Sequence, residues 1–111
     1  MERVGQLSEI IANYSRHQWR LRRVLLRLAT RAEIGDAAGE IFADAHLEES
    51  DIDALWFARP SFEGREAWEL RLVAETPYAL FQTFEPNAPE EKREEIRRAM
   101  EERLREYSNR A

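Results

Sequence analysis

The stretch that decides the fold reads DALWFARPSFEGREAWELRLVAETPYALFQTFE, residues 53–85, whose middle segment, residues 66–75, alternates clearly between apolar and polar residues. Alternation with a period of two is typical of β-strands. Pro60 and Gly64 mark a first loop, and a second turn follows residue 75. The strands predicted between these loops span residues 53–59, 66–75 and 78–85. Strands joined by such short loops pair antiparallel, so the stretch predicts a three-stranded antiparallel meander.

The middle strand of this meander is expected to carry much of the core. Its residues Trp68, Leu70 and Leu72 share one face of the predicted strand, as the two-residue period requires. Trp68, together with Trp56 on the preceding strand, is interpreted as a sheet residue that packs beneath a helix.

Upstream of the meander, apolar residues recur at alternating spacings of three and four, which is typical of a long helix that packs along one side. The pattern predicts one helix over about residues 6–32, roughly 40 Å long. Because the predicted strands reach only about 25–30 Å, part of this helix is expected to pair with a second copy in a dimer. The stripe assigned to the core or the dimer contact is Leu7, Ile11, Tyr14, Gln18, Leu21, Leu25 and Leu28.

The opposite side of this predicted helix combines arginines with large apolar residues. Arginine forks suit carboxylates or phosphates, and the apolar groups add area that can be desolvated. We therefore predict a partner-binding strip formed by Arg16, Trp19, Arg20, Arg23, Leu26 and Arg27.

The sequence leaves two interpretations open for each of two residues, Trp19 and Gln18. Trp19 either belongs to this strip or packs on the protein's own sheet or tail. Gln18 either fixes the register of paired helices or marks the end of the buried stripe.

Two further helices complete the predicted order. Asp36 suits the cap of a short helix that reaches about Leu47, and Pro89 suits the first turn of a last helix. The chain is therefore predicted to be one α+β domain, residues 1–111, with the element order ααβββα. A basic helix occupies residues 1–34, and the remainder forms an acidic α-βββ-α portion.

Charge is distributed unevenly between these two parts. Residues 1–34 hold seven arginines and three glutamates, a formal +4, whereas residues 35–111 sum to −9. Opposite charges of this size predict that the two parts attract each other, within one chain or between two. The expected partner of the arginine strip is an acidic protein surface, which includes the Asp36–Asp53 segment of a second copy.

Nucleic acid is an alternative partner for the arginine strip, since each phosphate contact would add salt-dependent affinity. The predicted order from Asp36 onward superficially resembles that of double-stranded-RNA-binding domains. That family begins its last helix with lysines, whereas this chain has Glu90, Glu91, Glu94 and Glu95 there. Such an acidic helix start would repel phosphate, so the sequence assigns no family.

Motifs for enzymatic chemistry are nearly absent. The four glycines form no phosphate-binding loop, and the chain contains no cysteine. The acid-rich segment around His46, residues 44–53, could bind a divalent cation, but it lacks the glycine of an EF-hand loop and is interpreted as a solvated turn. No cofactor, metal site or catalytic residue is predicted. No membrane partner is expected, and a cytoplasmic location is the default interpretation.

Three classes of function follow from these observations. The favoured class is a small interaction or regulatory protein, without catalysis, that self-associates or binds an acidic partner through its N-terminal helix. The second class is a nucleic-acid-binding protein that uses the arginine strip. The third is a small-molecule-binding or enzymatic domain with a pocket between the sheet and the helices.

Overall fold

The computed structural model describes residues 2–110, which form an α+β fold around a five-stranded mixed sheet. The elements in chain order are α1 (Glu2–Arg16), β1 (Arg20–Leu26), α2 (Leu28–Ile34), a 3-10 turn (Gly35–Ala37), α3 (Ala38–Phe42), β2 (His46–Glu49), β3 (Ala54–Pro60), a second 3-10 turn (Phe62–Gly64), β4 (Glu66–Leu72), β5 (Tyr78–Phe84) and α4 (Glu90–Arg110). The strand order is β2-β1-β3-β4-β5. Strands β1 and β2 are parallel, and all other pairs are antiparallel.

Helices cover the two faces of the sheet, and each face has its own hydrophobic core. We call them the α4 face and the α1 face, after the longest helix on each. The core of the α4 face contains Leu25, Ala54, Trp56, Trp68, Leu70, Leu72, Leu80, Phe84, Met100 and Leu104. The core of the α1 face contains Leu7, Ile10, Val24, Leu26, Ile34, Phe42, Leu55, Phe57 and Val73. Since both faces are covered, the central strands are buried on both sides, as their mostly apolar sequences require.

The predicted meander is confirmed in order and pairing, but the sheet has five strands and not three, because β1 and β2 extend it beyond β3. Strands β3, β4 and β5 occupy the three predicted stretches and pair antiparallel in sequence order. Trp68, Leu70 and Leu72 lie in one core and are buried, as the two-residue period predicts. The α+β class and the long last helix are also confirmed.

The predicted N-terminal helix over residues 6–32 is wrong, because α1 ends at Arg16. Gln18 adopts a positive φ of 66°, and its N–H donates to the carbonyl oxygen of Ser15. The N–H of Trp19 donates to the carbonyl oxygen of Tyr14 at 3.0 Å, and the two aromatic rings meet edge to face. This is the hydrogen-bond pattern of a Schellman motif, which closes a helix with a left-handed residue and a hydrophobic contact.

The apolar stripe therefore does not lie on one helix. Leu7, Ile11 and Tyr14 belong to α1, Gln18 ends it, Leu21 and Leu25 belong to β1, and Leu28 begins α2. The physical reason is the run of apolar residues at the end of β1. A helix would point these neighbours in different directions, whereas a central strand between β2 and β3 buries both faces and covers Val24, Leu25 and Leu26 together.

The predicted second helix over residues 36–47 is also wrong. Helix α2 lies earlier in the chain, α3 is only five residues long, and residues 46–49 form strand β2. β2 pairs parallel with β1, and the helical segment between them is the crossover that a parallel pair needs. This strand is short, polar and at the edge of the sheet, so its sequence carries no apolar alternation.

Asp53 fixes the start of α2 against the sheet. Its buried carboxylate accepts hydrogen bonds from the backbone N–H of Arg27 at 2.9 Å and from the Thr30 hydroxyl at 2.6 Å. The Arg27 guanidinium donates to the same carboxylate at 2.9 Å. Since no side chain of α2 caps its own first turn, Asp53 supplies from another segment the acceptor that a helix N-terminus requires.

Candidate functional site

The residues of the predicted partner-binding strip do not share one face of a helix. Arg16 ends α1, Trp19 lies in the turn, Arg20, Arg23 and Leu26 belong to β1, and Arg27 precedes α2. The side chain of Leu26 is buried in the α1-face core and is not at the surface. Because a strand alternates its side chains between two faces, the structure distributes these residues over different surfaces.

Two arginines of the strip bind carboxylates of their own chain. Arg23 donates two hydrogen bonds to Glu94, at 2.8 and 3.2 Å, across the α4 face. These hydrogen bonds lower the pKa of Glu94 to about 2, and the positive charges of Arg23 and Arg98 act in the same direction. The hydrogen bonds and the negative charge of Asp53 raise the pKa of Arg27 above its usual value. Part of the attraction between the basic and acidic regions is therefore satisfied within one chain.

Carboxylates of the acid-rich segment, residues 44–53, likewise pair with arginines of the same chain. Glu48 accepts hydrogen bonds from Arg98, and Asp51 accepts one from Arg105. Asp53, at the end of the same segment, holds Arg27. Across residues 2–110, no group of three or more His, Asp or Glu side chains is arranged to hold a metal ion.

Aromatic side chains form a row along the α1 face. The ring of Tyr14 stacks on Phe57 with centroids 3.9 Å apart. Trp19 meets Tyr14 at 6.2 Å and Phe81 at 6.3 Å, both edge to face. The guanidinium of Arg59 lies over the Trp19 ring at 4.5 Å. Trp19 therefore packs on the protein's own sheet, and the row reaches the surface at Phe81.

Tyr14 is held in this row by a polar contact as well. Its hydroxyl donates to Glu69 on β4 at 2.5 Å. Burial raises the pKa of Tyr14 well above its usual value, and the hydrogen bond and negative charge of Glu69 act in the same direction. The neutral phenol therefore persists at physiological pH and anchors α1 to the sheet.

Strand β5 ends the sheet with an open edge. Within the described chain, no strand pairs with its outer side. Its sequence, YALFQTF, contains no charged residue, although 35% of the chain is charged. Ala79, Phe81 and Thr83 on its α1-face side are exposed, with Phe81 58% exposed. Natural edge strands usually carry charges or proline that prevent pairing with another chain, and β5 carries neither.

The other edge of the sheet is protected. β2 has only four residues, HLEE, and two of them are glutamates. Charge and short length are the features that keep an edge strand from pairing. The contrast between the two edges singles out β5 as the surface most suited to contact another chain. Sequence reasoning missed this site, although the absence of charge from residues 78–84 was its visible signal.

Comparison with protein-family models, curated proteins and solved structures finds no match for this chain. In the part of the chain that the structure describes, no helix has the length and apolar character to cross a membrane. The candidate site therefore rests on the geometry of the sheet edge and on its residues.

Proposed function

We propose that this protein is a small self-associating interaction protein whose two copies pair along β5. The observation that carries the proposal is the uncharged edge formed by Tyr78–Phe84, which pairs with no further strand of residues 2–110. Pairing would satisfy the outward-facing N–H and C=O groups of this strand and join two five-stranded sheets into one. The sequence predicts a dimer that pairs through the N-terminal helix. The dimer proposed here pairs along the sheet edge instead.

A second copy is the occupant that fits this edge. An antiparallel pair of identical strands is related by a two-fold axis, which makes the contact self-complementary and closed. With the axis at Phe81, the centre of the strand, each Phe81 ring lies opposite its counterpart. Ala79 then faces Thr83 of the other copy, and Leu80 faces Gln82. Aromatic pairs on one face of an antiparallel sheet contribute roughly 0.2–1 kcal/mol beyond an alanine pair.

The lack of charge on β5 is compatible with a second copy, although the net charge opposes association. Each copy carries a formal charge of −5, so two copies repel each other at long range. β5 itself adds no charge to the contact, and Glu85 directly after it is paired with Arg65 at 2.9 Å. Added salt should therefore strengthen the dimer, because it screens the general repulsion without weakening an ion pair at the interface.

The experiment is sedimentation of the full chain between about 1 and 200 µM, with the substitution Phe81→Lys and a matched control. We expect wild type to reach twice the chain mass within this range and Phe81→Lys to remain monomeric. The control is Phe62→Lys, because Phe62 is 84% exposed and lies outside β5. Both variants place the same charge where an exposed phenylalanine stood, so a difference between them reports the edge.

The result that contradicts the proposal is a monomeric wild type at every concentration, or equal mass for the two variants. Salt separates this contact from the arginine contact that the sequence predicts. An association that weakens steeply between 50 and 500 mM salt is typical of arginine–carboxylate pairing. That result would assign the interface to the arginines and not to β5. Binding of an acidic partner or of nucleic acid by Arg16 and Arg20, both exposed, stays a prediction.

A further inference from the structure

An irregularity in β1 places two neighbouring arginines on one face of the sheet. The pairing register of β1 with β3 shifts between Leu21 and Arg23, so Arg22 is the extra residue of a β-bulge. In a regular strand, Arg22 and Arg23 would point to opposite faces. Here both guanidiniums lie over the Trp68 ring, at 5.2 and 5.8 Å from its centroid. Bulges commonly re-aim a side chain next to a functional site.

A third arginine completes this arrangement. Arg97 on α4 lies 4.4 Å from the centroid of the same Trp68 ring, and its side chain is buried. Trp68 is itself only 4% exposed, so its indole serves as a platform that positions cations. Three guanidiniums around one ring repel each other, and an anion among them would relieve that repulsion.

The arginines border an open cavity of about 460 Å³ between α4 and the starts of β1 and β2. His46, Arg98 and two carboxylates, Glu66 and Glu90, also line it. Glu66 accepts hydrogen bonds from the Trp68 indole and from Arg93. A second cavity of about 390 Å³ adjoins the first, because Arg22 and His46 line both. The space is large enough for a phosphorylated small molecule, since ligand sites typically measure about 300–1,000 Å³.

The carboxylates around the cavity do not neutralise every arginine. Arg23 is held by Glu94, and Arg97 by Glu94 and Glu90. Arg22 has no carboxylate partner among the residues that the structure describes. Glu90 is the weakest element of this arrangement, because its side chain is 71% exposed and it belongs to the first turn of α4. A stronger anion can displace it without moving the fold.

We propose that this cavity binds the phosphate group of a small molecule, with Arg22 and Arg97 as its ligands and Glu90 as an intramolecular competitor. A phosphate monoester carries nearly two negative charges at neutral pH and three acceptor oxygens, whereas the carboxylate of Glu90 carries one charge. The dianion therefore replaces Glu90 beside Arg97 and also engages Arg22. This site is on the α4 face and does not depend on pairing along β5.

The test is calorimetric titration of the full chain with inorganic phosphate and with ribose 5-phosphate, at pH 7.5 and low salt. We expect Arg22→Gln to weaken binding at least about tenfold, because it removes a charged hydrogen-bond donor. Glu90→Gln should tighten binding several-fold, because it removes the competitor. The matched controls are Arg103→Gln and Glu91→Gln, which make the same charge changes at exposed positions of α4. Both controls should bind as wild type does.

The two probes separate the sources of the phosphate group. Equal affinity for both indicates a site for the phosphate group alone, and tighter binding of ribose 5-phosphate indicates a site for an ester. Absence of heat with either probe up to 10 mM contradicts the proposal. So does an equal effect of Arg22→Gln and Arg103→Gln, or of Glu90→Gln and Glu91→Gln, since general charge alone would then explain the binding.

Discussion

At the scale of single residues, Glu94 connects α4 both to β1 and to other arginines of its own helix. Its carboxylate accepts hydrogen bonds from Arg23 on β1 and from Arg97 on its own helix, and it also pairs with Arg98. Through these contacts α4 is tied to the centre of the sheet by charge as well as by apolar packing. Hydrogen bonds to charged groups of this kind contribute about 1.5–3 kcal/mol each when they are partly buried.

The acid dependence of stability should report this residue. Because the folded-state pKa of Glu94 lies at about 2, below its usual 4.5, the unfolded chain takes up the proton first as pH falls. The stabilisation is complete above pH 4.5 and is lost progressively between pH 4.5 and 2. We expect Glu94→Gln to be clearly less stable than wild type in urea at pH 7, and the difference to shrink towards pH 3.

The control for this experiment is Glu95→Gln. Glu95 is the exposed neighbour on α4 and pairs with Lys92 at 3.6 Å, its one ion pair among the residues that the structure describes. It should follow wild type at both pH values, because exposed pairs contribute little. An equal stability difference for Glu94→Gln at pH 7 and pH 3 would show that the carboxylate is not held in its charged form.

At the scale of elements, the turn after α1 decides the architecture. Gln18 closes the helix with a left-handed conformation, and β1 then enters the interior of the sheet between β2 and β3. Without this turn, the arginine-rich segment would continue as a helix and the sheet would lose this interior strand. A non-glycine residue has a steric cost at positive φ. Glycine should therefore be more stable than glutamine at this position.

Gln18→Gly separates the observed turn from the predicted continuous helix by the sign of its effect. At a left-handed helix end, glycine should raise the free energy of unfolding by about 0.5–1 kcal/mol. In the middle of a helix, the same substitution lowers it by about 1 kcal/mol. Ala12→Gly, at an exposed position inside α1, is the matched control and should destabilise. Destabilisation by both substitutions would contradict the turn.

The elements that the sequence predicts are those with one buried face and one exposed face, because their apolar residues then recur with a clear period. β4 alternates clearly, and α4 carries a narrow apolar stripe between oriented charge pairs. β1 was missed because burial on both faces removes alternation, and its leucines fall by chance at helical spacing. Gln18 gives no signal, since left-handed helix ends usually carry glycine or asparagine. β2 is too short and polar to show any period.

The candidate sites were less predictable than the elements. Of the three arginines near Trp68, the predicted strip included only Arg23. The bulge that turns Arg22 beside Arg23 follows from sheet pairing and has no sequence signature. The predicted meander already places its third strand, β5, at one edge, and the lack of charge in residues 78–84 is visible in the sequence. What the sequence does not specify is that β1 and β2 join the sheet at the opposite side, next to β3, and leave β5 at the edge.

At the scale of the whole molecule, the uneven charge of the sequence becomes internal pairing. Arg23 and Arg27 contact acidic residues of their own chain, so the basic N-terminal part is folded onto the acidic remainder. In the part of the chain that the structure describes, the outer edge of β5 has no strand partner, whereas the opposite edge of the sheet is short and charged. The two edges of the sheet therefore differ in length and charge, which is expected when one edge pairs with a partner.

Disulfide formation by the substitution Phe81→Cys tests the pairing of two copies along β5 most directly. The chain has no cysteine, so any disulfide must join two copies at the introduced position. Residues opposite each other in an antiparallel pair have Cβ atoms about 4.5–5.5 Å apart, near the range that a disulfide bridges. With the two-fold axis at Phe81, mild oxidation should convert the variant to a covalent dimer within minutes at micromolar concentration. The control Phe62→Cys, at a more exposed position outside the strand, should remain largely monomeric. Equal rates of cross-linking for the two variants would contradict pairing along β5.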